Sequence, residues 1–104
     1  MGRLAVGVLA LAIGLSPWAA MGQSAASQGR SLFGEQCATC HGADGRGLNG
    51  PNLTALFAAG GSDDRVLQIV RNGVPGSIMP ASRNTDDEIR AIIAYLKEIG
   101  RAHV

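Results

Sequence analysis

The sequence predicts an all-α fold of three to five short helices, and three observations carry that expectation. Ile89, Ile92, Ile93, Leu96 and Ile99 recur at helical spacing near the C-terminus. No stretch alternates apolar and polar residues long enough to make a strand. The connecting segments are dense in glycine, proline and asparagine, which punctuate short elements rather than extend them.

The N-terminal segment reads as a leader. Met1-Gly2-Arg3 carries a positive charge, Leu4 to Leu15 is apolar with glycine, and Ser16-Pro17 interrupts the run. Ala20-Met21-Gly22 places small residues where a signal peptidase reads, so residues 1–22 are expected to be a secretory signal peptide and the mature protein periplasmic. A cut after Ala26 is the second choice. The apolar run is short for a membrane span, which needs ~20 residues, so an uncleaved anchor is the weaker alternative and no stable span is expected after cleavage. Residues 23–27 (Gln-Ser-Ala-Ala-Ser) are small and polar, a flexible linker. Residues 28–104 then form one domain.

Ser27 is the expected cap of a first helix running to about Gln36, with Leu32 and Phe33 as its apolar contacts. Gly29 shares a face with Phe33 and makes sense there only if another helix crosses closely. His41 to Asn52 is a glycine-rich loop. Thr54 caps a short helix through Ala59, stopped by Gly60-Gly61. Ser62 or Asp63 caps a third helix carrying Val66, Ile69 and Val70, which Asn72-Gly73 ends. Val74 to Ser82 holds Pro75, Gly76 and Pro80 and reads as extended loop. Thr85 and Glu88 form a capping-box pattern for the last helix, Asp86 and Asp87 suit its positive end, and Gly100 is the expected terminator.

Nine basic residues face eight acidic ones across the 104 residues. Without Arg3 the charges balance, which argues against nucleic acid as a partner. A chain as short as residues 23–104 usually needs a staple to hold its core. Its two cysteines, Cys37 and Cys40, are too close in sequence for a disulfide to remove much unfolded-state entropy.

Cys37-Ala38-Thr39-Cys40-His41 supplies a different staple. Cys-x-x-Cys-His is the attachment signal of c-type haem. Near a helix end, two cysteines at this spacing project to one side and can meet two vinyl groups on one porphyrin edge. His41 then lies under the iron and offers an imidazole nitrogen. A dithiol redox site would want an α/β pattern, which is lacking. A zinc site usually needs four ligands, and Cys37, Cys40, His41 and remote His103 are the candidates. The expected cofactor is therefore one covalently bound haem c. Met79 is the sole methionine beyond residue 22 and sits in a loop stiffened by Pro75 and Pro80, so it is the candidate sixth ligand. His103 is the competitor, on a tail past Gly100.

These residues resemble class I cytochrome c, especially the small soluble bacterial monohaem type, over Gln28 to Gly100. Cys37 to Gly42 is similar to the haem-binding run, Gly50-Pro51-Asn52-Leu53 to the Gly-Pro-x-Leu segment that follows it, and Met79-Pro80 to the ligand methionine. The resemblance implies that the Pro51 carbonyl accepts a hydrogen bond from the second nitrogen of His41. It also implies that Gly29, Phe33 and Tyr95 mark the crossing of the first and last helices. Two departures stand out: Ala81-Ser82-Arg83 follows the Met-Pro pair where an aromatic is common, and no tryptophan follows residue 22. Arg46, Arg71, Asn72 and Arg83 are the alternatives for meeting a haem propionate, each also readable as a solvated side chain.

The expected function is one-electron carriage, not enzymatic catalysis, with iron held between His41 and Met79. Leu53, Leu56, Phe57, Val66, Ile69, Val70, Ile78 and Ile92 would wall the haem. Docking to redox protein partners would be small and transient, across Gly42, Ala43, Val74, Pro75 and Ala81, and the protein is expected to be a monomer. The alternatives are a haem subunit of a larger periplasmic dehydrogenase or oxidase complex, and a haem gas sensor with an open iron face.

Overall fold

A computed structural model describes residues 24–102. The expected signal peptide (residues 1–22) and the alternative ligand His103 lie outside them. Four helices follow one another: α1 (Ala25–Gln36), α2 (Ala38–His41), α3 (Asp63–Asn72) and α4 (Asp86–Ala102), with no strand among the described residues. None of these helices is long and apolar enough to cross a membrane.

Helix α1 starts earlier than the sequence suggested. Ser24, in extended conformation, accepts the Ser27 N–H on its side chain at 3.1 Å. Ser24 rather than Ser27 is thus the cap, and the expected linker is helical from Ala25. Two serines three apart can each begin a helix, so the residue type alone does not choose between them. Helix α3 begins at Ser62, whose hydroxyl accepts the Arg65 N–H at 3.2 Å, and ends at Gly73 with φ +72°.

Helix α4 carries the reciprocal cap that its sequence predicts. The Glu88 N–H donates to Thr85 Oγ1 at 3.2 Å, and the Thr85 N–H donates to Glu88 Oε1 at 2.8 Å. Two donors that the first turn would otherwise leave unmet are satisfied together. Thr85→Ala is expected to lower stability by about 1 kcal/mol, and Thr85→Ser to restore most of it, as urea midpoints would report.

The core forms where α4 packs against both α1 and α3. Phe33, Val66, Leu67, Ile89, Ala91, Ile92, Ile93 and Leu96 are buried. The α4 stripe is the predicted one, with Ile99 half-buried at its end. Ala91 joins it because α1 comes extremely close there: a Cβ on Gly29 would stand 1.9 Å from the Ala91 carbonyl oxygen. Phe33 and Tyr95 meet at the same crossing, ring centroids 5.5 Å apart and tilted by 56°. This is the close helix crossing that Gly29 was expected to serve.

Two local expectations are corrected. Residues 54–60 form successive turns rather than a helix, with hydrogen bonds of mixed reach such as Leu56 N–H to Leu53 carbonyl and Ala59 N–H to Ala55 carbonyl. A segment this short, ending in two glycines, does not recover the cost of nucleating a helix. Gly100 does not terminate α4, which runs to Ala102; a Cβ at Gly100 would stand 2.9 Å from the Thr54 carbonyl oxygen, so its glycine serves packing against those turns. On α3 Val66 and Leu67 are buried, and Ile69, expected to wall the haem, is exposed.

Side chains lace the exterior. Arg71 Nε donates to Asp86 Oδ1 and Arg71 Nη2 to Asp86 Oδ2, joining the end of α3 to the start of α4. Lys97 Nζ lies 2.7 Å from Asp63 Oδ1 and 5.3 Å from the centre of the Phe57 ring.

Candidate haem site

Cys37 is the joint between α1 and α2. Its N–H donates to the Phe33 carbonyl at 2.8 Å, ending α1, and its own carbonyl accepts the His41 N–H at 3.0 Å, beginning α2. Gly42, with φ +87°, then turns the chain out of the helix. One tight helical turn therefore carries Cys37, Cys40 and His41. Both thiols are free and half-buried. Burial pushes the Cys37 thiol above its ordinary value, the opposite of what a reactive redox thiol needs. Among the described residues no three His, Cys, Asp or Glu side chains gather as a metal cluster.

The following loop folds back over this turn. The Cys40 carbonyl accepts the N–H groups of Leu48 at 3.1 Å and Gly50 at 2.7 Å, and the His41 carbonyl accepts that of Gly47. Gly50 is thereby laid against the imidazole. A Cβ there would stand 2.9 Å from His41 Cε1 and 3.0 Å from Nδ1, so only glycine leaves the ring in place. Pro51 comes next, and its carbonyl oxygen lies 2.8 Å from His41 Nδ1. A carbonyl can only accept, so Nδ1 carries the proton and Nε2 presents its lone pair. That is the form of imidazole that binds a metal. The sequence pointed to Pro51 through resemblance; the steric demand on Gly50 carries no sequence signal beyond a turn-forming Gly-Pro.

Met79 stands on a separate segment. It is half-buried, and its carbonyl accepts the Val74 N–H at 3.2 Å. Gly73 backs it, since a Cβ there would stand 2.8 Å from the Met79 carbonyl oxygen and 2.7 Å from Ala81 N. The Ser82 N–H donates to the Val70 carbonyl, fastening the segment to α3. A reciprocal amide pair, Gln36 Nε2 to Asn84 Oδ1 at 3.2 Å and Asn84 Nδ2 to Gln36 Oε1 at 2.6 Å, ties the residue before Cys37 to the chain beyond Met79.

The donor set fits a c-type haem: two free thiols on one turn, and an imidazole held with its far nitrogen available. The surroundings fit as well. Leu48, Ile69, Val74 and Ile78 are exposed at 72, 37, 41 and 77%, and all four lie on α3 or on the loops next to His41 and Met79. A large apolar ring system would cover such side chains. Leu53, Leu56, Phe57 and Val70 are half-buried against the core, in which Val66 and Ile92 are fully packed. The cavity beside α4, lined by Thr54, Phe57, Leu96, Lys97 and Arg101 among others, includes none of the five site residues. Of the propionate candidates, Arg71 is engaged by Asp86, Arg46 by Asp44 and Asn72 by Gln68, while Arg83 makes no ion pair among the described residues.

Comparison with known proteins agrees with this chemistry. Residues 24–96 match the family described as cytochrome c oxidase, cbb3-type, subunit III. A cbb3-type cytochrome c oxidase subunit FixP of Azorhizobium caulinodans is 37% identical over 82 residues, covering 73% of this chain and 28% of that protein. Cytochrome c-551 of Bacillus subtilis is 35% identical over 78 residues, covering 73% of this chain and 65% of that one. The chain thus spans little more than a quarter of the oxidase subunit's length. Among solved structures, cytochrome cL from Methylophaga aminisulfidivorans superimposes with a TM-score of 0.64 at 26% identity, covering 79% of this chain and 64% of that one.

Proposed function

This chain belongs to the cytochrome c domain family of cbb3-type oxidase subunit III, and on that premise we propose that it is a one-electron carrier, with haem c joined to Cys37 and Cys40 and iron held between His41 and Met79. The observation that carries the reading is the hydrogen bond from His41 Nδ1 to the Pro51 carbonyl at 2.8 Å. It sets the tautomer and leaves Nε2 with its lone pair available.

When bound, the haem supplies a one-electron iron couple. The residues do the rest. Pro51 draws on the Nδ1 proton and so makes Nε2 a better donor. Gly50 keeps the ring from being displaced. The Met79 thioether, a soft donor, favours the reduced metal and raises the potential relative to other axial partners. Leu48, Ile69, Val74 and Ile78 would shield a bound haem from water, which would favour the less charged state. Two thioether links prevent loss of the cofactor by dilution.

Carriage outside the cytoplasm, with brief contacts to redox proteins, suits the balanced charge and the expected leader. Absorption spectra of the oxidised and reduced protein test the ligation. Met79→Ala is expected to erase the thioether signature, to lower the potential by on the order of 100 mV, and to let the reduced protein bind carbon monoxide. An unaltered spectrum in that variant would remove Met79 from the iron, and rapid carbon monoxide binding by the native protein would favour a sensor.

A second reading, a haem-bearing unit of an oxidase complex, is favoured by the oxidase-subunit relatives. Extraction from native membranes separates the two. A free carrier fractionates alone, whereas a subunit co-purifies with oxidase activity.

A further inference from the structure

We propose that Ser77 is a positioning residue for the Met79 thioether, an inference that rests on Met79 being the iron ligand. Met79 belongs to no helix, so what orients it must be found in its own segment. The backbone of this segment is fixed by hydrogen bonds. The Met79 N–H donates to Ser77 Oγ at 3.1 Å. The same hydroxyl donates to the Val74 carbonyl at 2.7 Å. The Ser77 N–H reaches that carbonyl too, at 3.1 Å, and the Val74 N–H returns to the Met79 carbonyl at 3.2 Å.

Both polar groups of the Met79 backbone are therefore spoken for by residues 74–77. One hydroxyl links the N–H of Met79 to the turn that receives its carbonyl. Gly73 closes the far side: its Cα approaches Met79, Pro80 and Ala81 so closely that a Cβ would stand 2.7–2.8 Å from their backbone atoms. Gly73 and the Val74 N–H thus hold the carbonyl side of Met79, and the Ser77 hydroxyl is the side-chain group that holds its N–H. A serine two residues before the ligand is the smallest side chain that can both donate to Val74 and accept from Met79.

The test uses the full holoprotein with Ser77→Ala and Ser77→Thr. Imidazole added to the oxidised protein competes with Met79 for iron. Ser77→Ala is expected to bind imidazole roughly three- to tenfold more tightly than native, the range one net hydrogen bond supplies. The threonine variant keeps the hydroxyl and is expected to stay within about twofold of native. In the reduced protein, the Met79 amide should exchange with deuterium faster in Ser77→Ala and at the native rate in Ser77→Thr. Equal imidazole affinity in Ser77→Ala and native, or a loss that threonine fails to restore, would overturn the proposal. Met79→Ala serves as the control: if it titrates like native, the ligation reading itself has failed, and the clamp with it.

Discussion

Replacing Gly29 by alanine will cost about 3 kcal/mol of stability, a large share of what a small domain possesses. The new Cβ would stand 1.9 Å from the Ala91 carbonyl oxygen, 2.4 Å from its carbon and 2.8 Å from Ile92 N. All three are backbone atoms of α4 and cannot rotate away. Relief requires α1 and α4 to separate, and Phe33 and Ile92 then lose the contacts that bury them. Two effects oppose this loss. Alanine favours helix by about 1 kcal/mol over glycine, and it restricts the unfolded chain. Gly34, on the same helix, isolates those gains, because nothing lies within 4 Å of its would-be Cβ. Gly34→Ala is expected to stabilise by about 0.5–1 kcal/mol. Urea denaturation of both holoproteins decides the matter; a Gly29→Ala protein as stable as native would mean that the helices do not meet as described.

The double change Cys37→Ser with Cys40→Ser will convert a permanent attachment into a binding equilibrium. The mass of the denatured variant should fall by one tetrapyrrole, and its stability should rise with added haem, as mass action requires. Native protein will show no such dependence. The effect is large because the polypeptide alone has little to hold it. Only eight apolar residues are buried among those described, while Leu48, Ile69, Val74 and Ile78 remain exposed. A single replacement leaves one thioether link and should retain the cofactor after denaturation. Masses that differ only by the two sulfur-to-oxygen exchanges, with both proteins lacking the tetrapyrrole, would sink the covalent-haem reading.

What the sequence disclosed here was chemistry carried by adjacent residues. Cys37, Cys40 and His41 declare themselves because their function demands fixed spacing along one turn. Thr85 and Glu88 do so because a cap is local, and the α4 stripe because helical periodicity needs no partner to be seen. The misreadings share the opposite character. Gly100 looked like a stop, yet it lies inside α4 because Thr54 presses on it from far along the chain. Residues 54–59 have a capping threonine and apolar residues, but their turns follow the demands of packing under α4. The hydroxyl of Ser77 and the amide pair of Gln36 and Asn84 were likewise invisible, since each depends on where the chain returns rather than on what stands beside it.

Arg71 and Asp86 meet just outside the two ends of the stretch that carries Met79. That stretch leaves the helical frame and re-enters it at nearly one place, and it is stitched down in between by Ser82 to Val70 on α3 and by Asn84 to Gln36 on α1. A change of contour between those stitches alters the surroundings of Met79 first, and reaches the helices only through them.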